Sequence, residues 1–128
     1  MNRFSAFLVS FRSRLTRAFK RIGRAWSDWR NPPYRTEVAI GQLPSRLSDR
    51  VLYVVEEDGY EEQAAMRCPC GCGRTLQMNL LPDERPCWRL TRHENGTSTL
   101  HPSVWRQKDC RSHFWFRRGR VIWVDERR

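Results

Sequence analysis

Between Phe4 and Trp26 the apolar positions fall at steps of three and four: Phe4, Phe7, Leu8, Phe11, Leu15, Ala18, Phe19, Ile22 and Trp26. A repeat of 3.6 residues puts these side chains on one stripe of a helix, with arginines around the rest. "NPP" at 31–33 ends the pattern, because proline removes a backbone donor and disfavours helix in the residue before it. Beyond the prolines the pattern changes to alternation and short apolar runs. "TEVAI" (36–40), "RVLYVVE" (50–56), "QAAMRC" (63–68), "TLQMNL" (75–80) and "CWRLTR" (87–92) read as strands. Asn95-Gly96 predicts a hairpin between "CWRLTR" and "TSTL", and "HFWFRRGRVIWV" (113–124) a second one turning at Arg118-Gly119. "PSRLSDR" (44–50) is expected to form a helical turn, and "HPSVW" (101–105) a turn-like connection between the two hairpins.

The expected layout is a basic amphipathic helical arm (1–30), a linker (31–35) and a β-rich domain (36–128), giving a mainly β (α+β) fold class. A chain of 128 residues supports one modest core. Short strands make that core thin, so a metal staple would help it. No run approaches the 18 apolar residues of a membrane-spanning helix.

Charge sharpens the division. The arm holds eight Lys/Arg against the single acid Asp28, so it carries +7 of the chain's +10 and leaves +3 for residues 31–128. The remainder even contains the acidic stretch "EEDGYEE" (56–62). The arm is expected to dock on its own domain or on a partner. Attraction to an anionic membrane surface is a second reading, and transit peptides share the texture. A polybasic arm also binds phosphates without specificity, but bulky Phe and Trp opposite the arginines favour hydrophobic docking over nucleic acid. The first segment has arginines throughout, unlike a secretory signal, so a reducing, cytoplasmic setting is expected for its five cysteines. In such a setting clustered cysteines point to metal more than to disulfides.

"MRCPCGCGRT" (66–75) places Cys68, Cys70 and Cys72 at alternate positions. Structural zinc takes four tetrahedral ligands from Cys or His, usually from two separated segments. The second segment is "CRSH", with Cys110 and His113. Gly71 and Gly73 let the first segment curl so that amides point at sulfur. Cys87, beside Trp88, reads as a packed small apolar residue, and His93 as solvated in a polar hairpin. Six candidates (Cys68, Cys70, Cys72, Cys110, His113 and His101) thus compete for four positions. If four thiolates are used, both histidines are free. Ser103 lies ten residues from His113, and a serine becomes a nucleophile only beside a base such as histidine. On spacing alone Ser103 also reads as a turn or capping serine, and His113 as a plain fourth ligand. Spacing assigns no third member of a triad, although Asp109 is near in sequence.

"GQLP" (41–44), "CPCGCG" (68–73), "WRL" (88–90), "LHPSVW" (100–105) and "CRSHFWFRRGRVIWV" (110–124) together resemble a bacterial family of small cysteine-rich metal-binding proteins. Its members are encoded in operons with ubiquitin-like proteins and their activating and conjugating enzymes. The resemblance spans roughly 36–124 and leaves out the arm. In the family pattern the Cys-x-Cys-x-Cys cluster, Pro-Ser-Ile/Val and Cys-x-Ser-His occur together, while the position of His101 varies. The resemblance implies structural Zn2+ on Cys68, Cys70, Cys72 and Cys110, with Ser103 as nucleophile and His113 as base. It implies an accessory serine-type peptidase that processes or deconjugates a ubiquitin-like protein, with that protein and its conjugation enzymes as partners. The competing expectation is a non-catalytic zinc-ribbon-like adaptor, in which His113 is a ligand and Arg111, Arg117, Arg118 and Arg120 meet an acidic partner. Catalytic zinc ranks last, because three Cys ligands blunt its Lewis acidity.

Overall fold

The computed structural model describes residues 29–124. The predicted amphipathic arm lies outside these residues, apart from Trp29 and Arg30, which are helical. From Arg35 onward the chain forms eight strands: β1 (Arg35–Ile40), β2 (Val51–Glu57), β3 (Tyr60–Arg67), β4 (Thr75–Asn79), β5 (Arg89–Arg92), β6 (Ser98–Trp105), β7 (His113–Arg117) and β8 (Arg120–Trp123). They make two four-stranded sheets, ordered β1-β2-β3-β4 and β5-β6-β7-β8. Every pairing is antiparallel except β1 with β2.

One core joins the two sheets. Leu52, Ala64, Met66, Leu76 and Met78 from the first pack with Leu100, Val104, Phe114 and Phe116 from the second, and Cys68 is buried in the same cluster. The other face of β2 carries Val51 and Tyr53, which pack with Leu47 and Leu43. β2 is therefore buried on both faces, which is why "VLYVV" is a continuous apolar run instead of an alternating one.

The expected helical turn at 44–50 is not formed; the segment bends and turns. Its role explains the difference. Because β1 and β2 are parallel, with Arg35 opposite Val51 and Ile40 opposite Glu56, the connection must return along the strands, about 17 Å at 3.3 Å per residue. A helix rising 1.5 Å per residue would use up nearly all of the connection without leaving residues to reverse at both ends. The segment instead bends over the outer face of β2, where Leu43 and Leu47 pack on Val51 and Tyr53 and Ser48 N donates to Tyr53 Oη at 2.9 Å.

Three hairpin turns organise the rest. Asp58-Gly59 joins β2 to β3 with both residues at positive φ, the mark of a type I′ turn. The acidic stretch hid this Asp-Gly signal. Arg118-Gly119 turns the same way between β7 and β8. At Asn95-Gly96 the loop is longer: His93 N donates to Thr97 O, and Asn95 Oδ1 accepts from Thr97 N and Oγ1. His93 is half-buried and bonded to Thr99 Oγ1 at 2.7 Å, not solvated as expected.

"HPSVW" is likewise not a turn between hairpins. It is the second half of β6, and β6 pairs with β7 to fuse both hairpins into one meander. Leu100 opposes Phe116 while Val104 opposes Phe114, so four residue steps on β6 span two on β7. The extra residues form a bulge around Pro102, a position where the missing donor costs little.

Candidate active site and metal centre

The bulge determines where Ser103 sits. Bulges re-aim side chains next to functional sites, and here Ser103 Oγ lies 2.9 Å from His113 Nε2. His113 is the first residue of β7 and stands opposite Trp105, whose ring stacks on the imidazole at 5.0 Å and 16°. Both Ser103 and His113 are half-buried, and Trp105 is exposed. Ser103 is held from behind as well, since Trp88 Nε1 donates to its carbonyl at 3.3 Å. A serine hydroxyl within hydrogen-bond reach of an imidazole is the arrangement needed to transfer a proton as the oxygen attacks a carbonyl.

The cysteines collect a short way off. Cys68, Cys70 and Cys72 come from the β3–β4 connection and Cys110 from the β6–β7 connection, and their four sulfurs lie within 4.8 Å of one another. Cys68 Sγ is 3.3 Å from Cys70 Sγ and 3.7 Å from Cys110 Sγ. Sulfurs around a tetrahedral zinc, each about 2.3 Å from the metal, would be about 3.8 Å apart. The donor set therefore fits a metal ion that prefers four thiolates. The first connection curls as its glycines anticipate: Gly71 and Gly73 take positive φ, Gly71 N bonds Cys68 O, and Cys68 N bonds Arg74 O.

Burial pushes the Cys68 thiol up to about 12, against the amide of Cys70 and the hydroxyl of Ser112, which favour the thiolate. Cys110 is drawn down to about 6, chiefly by the Ser112 hydroxyl and then by the Ser112 amide. Cys70 is also lowered, first by the neighbouring Cys68 thiol. Ser112 is buried, with its Oγ 3.2 Å from Cys110 Sγ and 3.6 Å from Cys68 Sγ. It is the serine of the Cys-x-Ser-His motif, to which spacing gave no role, and it places a hydroxyl on two of the thiols immediately before His113 in the chain.

Other candidates lie elsewhere. His113 is not among the grouped metal-type ligands, and neither is His101, which stacks on Trp115 at 6.2 Å. Cys87 stays outside the group, half-buried, with its thiol 3.6 Å from Trp88 O. Asp109 accepts from Arg106 and pairs with Arg74, so it bridges the two thiol-bearing connections.

A family model described as the bacterial ubiquitination-like system serine protease (BubE) matches residues 39–124. The chain belongs to this family. BubE thus names a serine protease of a ubiquitination-like system, and the matched span holds every residue of the pair and the thiol cluster. No curated protein and no solved structure matches the chain.

Proposed function

We propose that this BubE-family chain is a serine-type peptidase that processes or deconjugates the ubiquitin-like protein of its pathway, with Ser103 as nucleophile and His113 as base. The observation that carries the reading is the 2.9 Å contact between Ser103 Oγ and His113 Nε2 on a bulged strand. His113 takes the hydroxyl proton as Oγ bonds to the carbonyl carbon at the end of the ubiquitin-like tail. It gives that proton to the departing amine or alcohol as the bond beyond the carbonyl breaks, leaving an ester on Ser103. Water then adds by the reverse proton path and frees the tail as a carboxylate. The face of Trp105 lies against the imidazolium that forms in each half, where a ring quadrupole favours positive charge.

In this reading Cys68, Cys70, Cys72 and Cys110 hold Zn2+ as a structural ion. Four thiolates leave no position open for water, so the ion supplies cross-linking only. It ties the β6–β7 connection, which separates Ser103 from His113, to the first sheet. The adaptor reading needs His113 as a ligand, and its contact with Ser103 favours the peptidase instead.

The test uses the cognate ubiquitin-like precursor. Ser103→Ala is expected to abolish cleavage with zinc content and thermal unfolding unchanged, and a fluorophosphonate probe should label only protein that retains Ser103. Cleavage at the original rate by Ser103→Ala sinks the proposal.

A further inference from the structure

One face of the second sheet carries more than the pair. Arg89 on β5 stands opposite His101 on β6, so the two share a face. His101 stacks on Trp115 of β7, and Trp115 shares its face with His113 two residues before it. Arg89, His101 and Trp115 therefore lie on the same side of the sheet as the imidazole that Ser103 contacts. Beside them is a depression of about 280 Å³, lined by Pro82, Arg85, Cys87, Trp88, Arg89, His101 and Pro102. It adjoins the nucleophile directly: Pro102 precedes Ser103, and Trp88 bonds the Ser103 carbonyl.

Its chemistry is cationic over an apolar floor. Arg35, Arg67, Arg74, Arg92 and Arg106 each have a carboxylate partner. Arg85 and Arg89 have none among the described residues. The volume falls just under the range of about 300–1,000 Å³ usual for small-molecule sites, which suits one side chain of a longer ligand. Guanidinium groups pair with carboxylates through two parallel hydrogen bonds, so a planar acid is the side chain that they select.

We propose that this depression is a specificity subsite that takes an aspartate or glutamate side chain flanking the scissile bond of the substrate tail, held by Arg85 and Arg89 against Trp88. The inference deepens the peptidase reading and rests on it for the meaning of the bond.

The experiment measures binding, so that it stands apart from cleavage. Full-length Ser103→Ala protein is titrated with dye-labelled decapeptides of alanine and serine carrying one glutamate at each position in turn, and with the glutamine counterparts. At one or two positions glutamate should bind at least tenfold tighter than glutamine, and added salt should shrink the gap. Arg85→Ala with Arg89→Ala should remove the preference while thermal unfolding stays unchanged; Arg89→Gln alone should reduce it. Equal affinity for glutamate and glutamine peptides overturns the subsite, as does a preference that survives both substitutions. So does an oligonucleotide that displaces the peptides at matching affinity, since the arginines would then be reading phosphate. If precursor cleavage survives Ser103→Ala, the peptidase reading falls while this binding result is still read on its own.

Discussion

The outer faces of the two sheets are used in opposite ways. In the first sheet the crossover connection covers β2, with Leu43 and Leu47 over Val51 and Tyr53. In the second, Trp105 is 54% exposed, and Trp115, His101, His113 and Ser103 share a side with it. Large aromatic side chains left in contact with water forgo the burial that stabilises a fold, and such patches mark binding sites. The first sheet is thus the foundation and the second the working surface. The thiol cluster joins them at one end, with three sulfurs from the first sheet's loop and one from the second's.

The largest effect should come from breaking that joint. With zinc on the four thiols as proposed, Cys110→Ser or a strong chelator would take away a cross-link whose binding free energy is folding free energy, on the order of 10 kcal/mol for structural zinc. A domain with a thin core should then lose cooperative unfolding at room temperature, seen by circular dichroism alongside metal content. The sign of the pH dependence follows from the thiols. Cys110, near 6, is already a thiolate at neutral pH, whereas Cys68, near 12, must lose its proton to solvent before its sulfur can ligate a metal. Metal binding should therefore release protons, and affinity should fall as pH falls. If the chelated protein keeps its melting transition, the two sheets hold together without the ion.

The foundation and the working surface also differed in how far they could be read from sequence. Strands with alternating or continuous apolar runs were legible, because burial on one or both faces writes itself into local pattern. The parallel register of β1 against β2 was not, since ten residues separate the strands and no turn chemistry joins them. Asp58-Gly59 was legible in principle but masked by its acidic neighbours. At the site, the types of residue were readable and their geometry was not. Ser103 meets His113 only because β6 carries extra residues opposite β7, and a bulge leaves no period of its own. The fourth ligand was open between Cys110 and two histidines, and the fold groups Cys110 with the other three thiols.

An intermediate effect separates two glycines with similar backbone angles. At Gly119, φ is +74°, and an added Cβ would lie 2.6 Å from Tyr34 O. That approach is where the segment leading into β1 meets the second sheet: Tyr34 N donates to Gly119 O at 2.7 Å, and Gly119 N to Ser98 O at 2.8 Å. Gly96 has φ +82°, with nothing within 4 Å of its added Cβ. Gly119→Ala should cost about 2–4 kcal/mol, combining backbone strain with a clash that neither backbone can relieve, and Gly96→Ala only about 1–2. Urea unfolding of the metal-loaded variants measures the difference. Equal costs would mean that the contact between the sheets at Tyr34 carries no weight.

The smallest effect tests how the joint communicates with the working surface. Ser112 has its hydroxyl on Cys110 and Cys68, its carbonyl accepts from Arg106 N at 2.8 Å, and its successor is His113. Hydrogen bonds to charged groups contribute about 1.5–3 kcal/mol net of what water would offer in exchange. Outer partners of metal ligands typically change metal affinity by about 10–100-fold. Ser112→Ala should therefore weaken zinc binding by about tenfold in a competition titration, while the saturated protein still folds. Ser112→Thr, which keeps the hydroxyl, should restore the affinity. If Ser112 also positions the imidazole, zinc-saturated Ser112→Ala should show a lower kcat on the ubiquitin-like precursor with KM unchanged, because the tail is still bound by the same face. A kcat that recovers fully once zinc saturates would confine Ser112 to the metal and leave the placement of His113 to β7 and Trp105.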